Sequence, residues 1–269
     1  IYNSSIYLIR KSMTILIAGG DSFTYGNELS DCTPNNASMN AWSSLLADKL
    51  GMSYSCTANA GDGNGAIARK TMTACNTLLS QGHDLAVAVM WSFPCRYEFR
   101  FNYDTQEKYS PWATITPWTH EQDEYVIKKA FKNFKQNIFD HYKNNQQNAQ
   151  STGLATFSER FFRDVGDSEY YEIYTTFKEM IFLQDWLRQR DISYIYTFVN
   201  TDMFKPNVPV DSSLKCVMDS LDLSCCYTDV GFFEWSKTND FPFGATHPLE
   251  PAHTAFVEKI LAFATQKLK

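Results

Sequence analysis

The chain has 269 residues, of which 44% are apolar, and its formal net charge is −6. A chain of this length can bury one large core, so we expect a single domain over residues 13–269. Acidic side chains outnumber basic ones, so no basic surface is available for a polyanion, and nucleic acid is excluded as an expected partner. No stretch approaches the about 20 apolar residues of a membrane-spanning helix, and we expect no membrane partner.

The seven cysteines are odd in number and scattered, and they lack the C-x-x-C pairs of a zinc site. We therefore expect reduced thiols, a cytoplasmic location, no metal and no cofactor. Residues 1–12 contain no recognisable cleavage site and are followed directly by Met13 and an apolar run. We interpret them as a non-native or upstream extension outside the fold.

Short apolar runs alternate with helical patterns along much of the chain. Strands are predicted at residues 14–18, 54–58, 84–91, 192–199 and 225–230. Helices are predicted at residues 42–50, 66–79, 127–142, 170–187 and 250–268. This alternation predicts an α/β fold with a parallel, doubly wound sheet.

The alternation stops after the third predicted strand. Residues 93–119 are rich in proline and aromatic side chains, and a polar loop is predicted at residues 144–150. We predict that residues 93–166 form an ordered, aromatic-rich insertion over the edge of the sheet, where it would serve as a substrate rim or lid.

Gly20, Asp21 and Ser22 directly follow the first predicted strand. Ligands of open α/β folds bind at the carboxyl ends of strands, so Ser22 is placed as a nucleophile would be. Its backbone N–H could also donate to an oxyanion. Asp and Ser are favoured N-cap residues too, so the same tripeptide fits a plain turn that starts a helix.

A glycine-rich segment, residues 58–65, follows the second strand and opens a helix. Glycines let the backbone approach a ligand closely, and we predict an oxyanion donor in the amide of Gly61, with Gly63 as second choice. Asn64 either donates as well or holds the loop. Such turns can also cradle phosphates, but no Gly-Lys-Ser/Thr is present, which excludes a P-loop.

Two further polar segments fall at the same predicted edge of the sheet. Ser92 follows the third strand and is a candidate oxyanion donor, while Arg96 either contacts substrate or pairs with Glu98. His247 precedes a proline on the loop before the last helix, a fixed but accessible position that suits a general base as well as a structural histidine. His253 lies inside that helix and is expected to pack or cap.

In order and spacing, these four segments resemble the motif blocks of the SGNH (GDSL-type) hydrolase superfamily. The resemblance covers Met13 to about Leu268 apart from the insertion. The patterns Gly-x-Gly-Asn-x-x-Ile-x-Arg and Trp-Ser-x-x-x-Arg are similar to a bacterial and phage branch. The resemblance implies a three-layer α/β/α flavodoxin-like fold. It also implies Ser22 as nucleophile, His247 as base, and the amides of Ser22 and Gly61 in an oxyanion hole.

Two blocks depart from the pattern of the superfamily. The third block usually contains Gly-x-Asn-Asp, whereas this chain has Trp-Ser-Phe-Pro, which makes Ser92 a candidate substitute for the oxyanion Asn. The last block usually has Asp three residues before His, where this chain has Gly244. Asp240 is the predicted replacement for that acid. The alternative is a backbone carbonyl that holds the ring and leaves a Ser-His dyad.

The resemblance implies a serine esterase that removes an acetyl or short acyl group from a carbohydrate or a similar small substrate. Because the usual Asp and Asn are missing, a catalytically weak carbohydrate-binding or surface-recognition protein on the same fold is the alternative. A flavodoxin-like nucleotide binder that uses the glycine-rich segment is a third possibility.

Overall fold

The computed structural model describes four stretches of the chain, residues 13–100, 112–117, 119 and 154–268. Three predictions concern residues outside these stretches. They are the extension at residues 1–12, the helix at 127–142 and the loop at 144–150.

Four parallel strands form the central sheet. The strands of the described stretches are β1 (Ile15–Gly19), β2 (Ser53–Cys56), β3 (Leu85–Trp91), β4 (Tyr97–Arg100), β5 (Trp112–Ile115) and β6 (Ser193–Phe198). The sheet order is β2-β1-β3-β6, and β4 pairs with β5 in a separate antiparallel pair. The central strands β1 and β3 are near-continuous apolar runs because helices bury both of their faces. This order is that of flavodoxin-like, doubly wound sheets.

Helices cover both faces of the sheet. The α-helices of the same stretches are α1 (Ser22–Tyr25), α2 (Trp42–Leu50), α3 (Asn64–Ser80), α4 (Leu154–Phe161), α5 (Glu169–Arg188), α6 (Ser212–Ser220), α7 (Phe232–Thr238) and α8 (Glu250–Lys267). One apolar core lies between the sheet and α3, α5 and α6, where Ile67 and Phe177 are buried. The other lies against α2, α7 and α8, where Trp42, Phe232 and Phe256 are fully buried. The predicted three-layer α/β/α fold is confirmed.

The fifth strand predicted at residues 225–230 is wrong. The chain forms a 3-10 turn at Leu223–Cys225, and only one parallel bridge, from Tyr196 to Cys226, joins this segment to the sheet. The turn forms because the Asp222 carboxylate accepts the Ser224 backbone N–H at 2.9 Å, which bends the chain before a strand can start.

The described part of the insertion forms regular secondary structure. The β4-β5 pair packs with α4 and with a π-helical turn at Phe162–Gly166, and Tyr97, Ile115 and Phe162 form a small buried cluster there. Its role as a rim or lid stays a prediction. None of the helices in the described stretches has the length and apolarity needed to cross a membrane.

Candidate active site

Ser22 stands on a single helical turn at the carboxyl end of β1. It is the first residue of α1, and its side chain is buried apart from a small opening, with 5% of the residue exposed. Asp21 caps this turn by accepting the Phe23 backbone N–H at 3.0 Å. A Cβ at Gly20 would collide with the side chain of Thr24, so the turn packs tightly only with glycine there. The segment that caps the turn therefore also carries the Ser22 hydroxyl.

Ser22 and His247 are brought together from positions 225 residues apart. The Oγ of Ser22 lies 2.8 Å from the Nε2 of His247. The imidazole packs against the ring of Phe23, with ring centroids 4.8 Å apart, and 15% of its side chain is exposed. At this distance the imidazole can accept the hydroxyl proton of Ser22.

The other nitrogen of the imidazole contacts Glu28, not the predicted Asp240. The distance from His247 Nδ1 to Glu28 Oε1 is 2.7 Å. The Glu28 carboxylate also accepts the Thr246 hydroxyl at 2.6 Å and the Thr246 backbone N–H at 3.1 Å. Asp240 lies on an exposed turn after α7, where its backbone N–H bonds to the Lys237 carbonyl and its φ is 54°. Asp240 is therefore held in a local turn and does not make the predicted contact with His247.

Glu28 is held as a carboxylate in an unusual backbone conformation. Burial acts to raise its pKa, but the hydrogen bonds from His247 and Thr246 outweigh burial and lower the pKa to about 2. Its φ is 72°, in the left-handed region that residues other than glycine rarely adopt. Such a conformation costs on the order of 1–3 kcal/mol. No spacing rule relates Glu28 to Ser22 or His247, which is why sequence reasoning missed it.

The low pKa of Glu28 gives a test through stability. Its ordinary pKa is 4.5, and the folded protein lowers it to about 2. A depressed pKa adds stability that is complete above about pH 4.5 and is lost as the pH falls toward about 2. We expect the free energy of unfolding to fall in this window less steeply for Glu28→Gln than for the unmodified protein, measured by urea unfolding. Glu258→Gln, at an exposed pair with Lys49, should keep the original slope.

The glycine-rich segment places its two candidate amides differently. Gly61 is exposed, with φ 82° and open space where a Cβ would lie. Gly63 is buried, and its N–H donates to the Thr114 hydroxyl at 3.3 Å. A Cβ at Gly63 would come within 2.6 Å of the Arg96 carbonyl oxygen, so glycine is needed there for close packing. An oxyanion role for Gly61 or Gly63 stays a prediction.

Asn64 ties the start of α3 to the end of β3. Its Oδ1 accepts the Ser92 backbone N–H at 2.9 Å, and its amide nitrogen donates to the Ser92 carbonyl and to Thr176 Oγ1. Asn64 is 2% exposed. Of the two roles predicted for Asn64, the geometry favours holding the loop.

A buried network lies behind Ser22. The Ser92 hydroxyl donates to Asp21 Oδ2 at 2.6 Å, and Arg96 Nη1 lies 2.8 Å from the same oxygen. The hydroxyl proton of Ser92 is thus engaged by Asp21, and not directed at an oxyanion as predicted. Glu98 pairs with Arg69 at 3.0 Å, so the predicted pair of Arg96 with Glu98 is wrong. Arg96 forms its ion pair with Asp21 instead.

A second buried carboxylate shapes the glycine-rich segment. Asp62 accepts the Asn59 backbone N–H at 3.1 Å and pairs with Lys70 at 2.7 Å. Burial raises the pKa of Asp62 to about 6, and the nearby Lys70 charge partly opposes this increase. This pair was not predicted, although Lys70 lies one residue beyond the Gly-x-Gly-Asn-x-x-Ile-x-Arg pattern.

Phe23, which packs on the His247 ring, belongs to a group of aromatic rings. Phe23 contacts Phe93 and Phe233 edge to face, with centroids 6.2 and 5.7 Å away, and Phe233 in turn contacts Phe243 at 5.9 Å. Phe93, Phe233 and Phe243 are only half-buried, and they come from three different loops or helix starts. The site therefore has an apolar wall on the histidine side.

His253 packs as predicted. It is 1% exposed, and its Nδ1 accepts the Trp42 backbone N–H at 3.1 Å. Burial lowers its pKa to about 3, which keeps the ring neutral. Across the described stretches, no group of three His, Cys, Asp or Glu side chains could hold a metal ion.

No protein-family model and no curated protein sequence matches this chain. Among solved structures, the fold is similar to an acetyl xylan esterase (Est2A) from the rumen bacterium Butyrivibrio proteoclasticus, with a TM-score of 0.44 and 10% sequence identity. The match covers 95% of this chain and 64% of that chain, so this chain spans less than two thirds of the esterase. At such low similarity, function has to come from the site itself.

Proposed function

We propose that the protein is an ester hydrolase in which Ser22 is the nucleophile and His247 the general base. The observation that carries the proposal is the 2.8 Å distance between Ser22 Oγ and His247 Nε2 at the carboxyl edge of the sheet. A hydroxyl and an imidazole in hydrogen-bond contact are what nucleophilic catalysis by serine requires. The order of the four sequence segments supports the same conclusion independently.

In the proposed reaction, Ser22 Oγ attacks the acyl carbon while its proton passes to His247 Nε2. The imidazolium then gives that proton to the leaving alcohol, and an acyl-serine ester remains. Water attacks this ester in the second half, with His247 again as base, and releases the acid. The net reaction consumes one ester and one water, yields the acid and the alcohol, and returns Ser22 and His247 to their starting states.

The negative charge that develops on the acyl oxygen needs donors. We propose the amide of Ser22, because the first amides of a helix have no partner inside it, and an amide of the glycine-rich segment, Gly61 or Gly63. Gly63 already donates weakly to Thr114 at 3.3 Å, a contact that a stronger acceptor can replace. Loss of one such donor typically lowers kcat by about 10²–10³.

We propose an acetyl or short acyl ester of a carbohydrate as the substrate class. The leaving alcohol must lie beside His247, because the imidazole protonates it. Phe23 packs on that imidazole and also contacts the half-buried rings of Phe93 and Phe233. An apolar wall of this kind suits the C–H face of a sugar ring. As part of the proposal, the protein works in a reducing, cytoplasm-like compartment, which seven free cysteines favour.

The alternative of a binding protein without activity was motivated by a missing acid and a missing oxyanion Asn. Glu28 provides a carboxylate at 2.7 Å from His247, which removes the first motive. The second stands, because the Ser92 hydroxyl donates to Asp21. We find no observation that favours a nucleotide binder.

The test is direct. Purified protein should hydrolyse p-nitrophenyl acetate, and a fluorophosphonate probe should label Ser22, located by peptide mass spectrometry. An acetylated methyl xyloside should also release acetate. Absence of both turnover and labelling in folded protein contradicts the proposed hydrolase, and glycan binding without turnover would favour the binding protein instead.

A further inference from the structure

Two chain positions, 28 and 244, converge on the same side of the His247 ring. Glu28 reaches the ring from the turn after α1, with its side chain only 6% exposed. Gly244 lies beside the Glu28 carboxylate in the turn that contains His247, where the Gly244 N–H bonds to the His247 carbonyl at 2.9 Å. A Cβ built on Gly244 would collide with the Glu28 carboxylate.

We propose that Glu28 is the positioning acid of His247, and that a carboxylate placed at position 244 can replace it. This inference deepens the proposed function and rests on it for its kinetic consequences. Glu28 contacts His247 and Thr246 and acts through the imidazole, so it is a positioning residue.

The contacts of Glu28 explain how it would act. When Nδ1–H donates to Glu28 Oε1, the lone pair of Nε2 faces Ser22, which is the tautomer a base needs. The carboxylate also stabilises the imidazolium that forms once the Ser22 proton has moved. Thr246 holds the carboxylate through both its hydroxyl and its backbone N–H, so the oxygen cannot swing away from the ring.

The geometry of position 244 explains why the acid can be exchanged. Glu28 adopts φ 72° to bring its side chain over Gly244, and it fills the space that a side chain at 244 would occupy. The Glu28 side chain and a side chain placed at position 244 therefore exclude each other. A glycine at position 28 accepts the left-handed conformation without strain and vacates that space, so an aspartate at 244 could then enter it.

The experiment is a double-mutant cycle of Glu28→Gly and Gly244→Asp. Glu28→Gly should lower kcat for p-nitrophenyl acetate by about 10⁴-fold, with KM within about threefold, because the lost contact orients the base and touches no substrate. Gly244→Asp alone should also lower kcat, since the new side chain collides with Glu28. The double variant should be at least about 100-fold more active than Glu28→Gly, which is a strongly non-additive result.

A spectroscopic readout tests the same contact without turnover. An Nδ1 proton shared with a carboxylate gives a strongly downfield proton NMR signal. This signal should be present in the unmodified protein, absent in Glu28→Gly and Glu28→Gln, and restored in the double variant. Glu250→Gln is the matched control: Glu250 also joins the 26–33 segment to the C-terminal part, through the Ser30 N–H at 2.7 Å, and its loss should leave kcat within about threefold.

Retention of kcat within tenfold in Glu28→Gly would overturn the proposal, as would a folded double variant that recovers neither kcat nor the NMR signal. If the double variant does not fold, Glu28→Asp decides, because the shorter carboxylate should recover more kcat than Glu28→Gln. The two proposals fail separately. Protein that shows the downfield signal but hydrolyses no ester contradicts only the proposed function, whereas an active enzyme without the signal contradicts only the role of Glu28.

Discussion

Replacing Ser22 with alanine should lower kcat for ester hydrolysis by on the order of 10⁶-fold, to the rate left by binding and oxyanion donors alone. The expectation follows from geometry, because Ser22 carries the only hydroxyl that the described contacts place on His247 Nε2. The substitution leaves the Asp21 cap intact and removes one polar atom from a nearly buried site. Stability should therefore stay within about 1 kcal/mol of the unmodified protein.

Steady-state hydrolysis of p-nitrophenyl acetate and thermal unfolding measure the two parts of this expectation, and fluorophosphonate labelling should be lost. Ser43→Ala is the matched control, since Ser43 is a fully buried serine on α2 whose hydroxyl meets Tyr54 at 2.9 Å. It should lose some stability and keep its activity. Ser22→Ala protein that still turns over within tenfold of the original rate would remove Ser22 from the reaction.

Replacing Arg96 with methionine should destabilise the fold by about 3–5 kcal/mol. The pair of Arg96 with Asp21 is buried, with the two side chains 10% and 0% exposed. The same Asp21 oxygen also accepts the Ser92 hydroxyl. Removal of the cation leaves an uncompensated carboxylate beneath Ser22, which is the costly way to break a buried pair. Activity should fall as well, because Asp21 caps the turn that presents Ser22.

Chemical denaturation with urea measures this change. Arg163→Met is the matched control, because Arg163 pairs with Asp164 at the same 2.8 Å distance but both side chains are more than half exposed. That loss should be under about 1 kcal/mol. The double variant Arg96→Met with Asp21→Asn should recover part of the stability, since it also removes the buried charge. Equal effects of the two arginine substitutions would show that burial does not govern the Asp21 pair.

The central sheet and the place of Ser22 at its edge could be predicted from sequence for physical reasons. β1 and β3 are buried on both faces, so their apolar runs are continuous and easy to recognise. The carboxyl ends of parallel strands meet at one edge, so segments that follow different strands converge there whatever their separation along the chain. This rule predicted the position of Ser22, whereas its pairing with His247 was implied by the resemblance to the SGNH superfamily; the structure places the two side chains 2.8 Å apart.

The acid partner could not be predicted, because the choice of Asp240 depended on distance along the chain. Glu28 reaches the imidazole from a turn in a left-handed conformation that no residue type announces. The useful sign was Gly244, which stands where the resembling superfamily has Asp. A glycine there indicates space filled by another side chain, but the sequence does not say which one.

Helices α6 and α7 were missed, and a strand was predicted between them. Both helices are short and bury few side chains, so neither shows an apolar pattern over several turns, although Asp211 caps α6 through the Leu214 N–H at 2.8 Å. The apolar residues near Cys226 meet the sheet through one bridge instead of a ladder. The local sequence shows that these residues are apolar, but it does not show whether they pair with a strand of the sheet.

The contact between Glu28 and Thr246 joins residues 218 positions apart and is part of the proposed site. During synthesis, the segment around Ser22 emerges long before its partner, so the nascent chain carries a serine with no base beside it. A hydroxyl without a base is a weak nucleophile. The proposed hydrolysis would thus require the His247 turn to be docked, and chains that end before this turn would lack it.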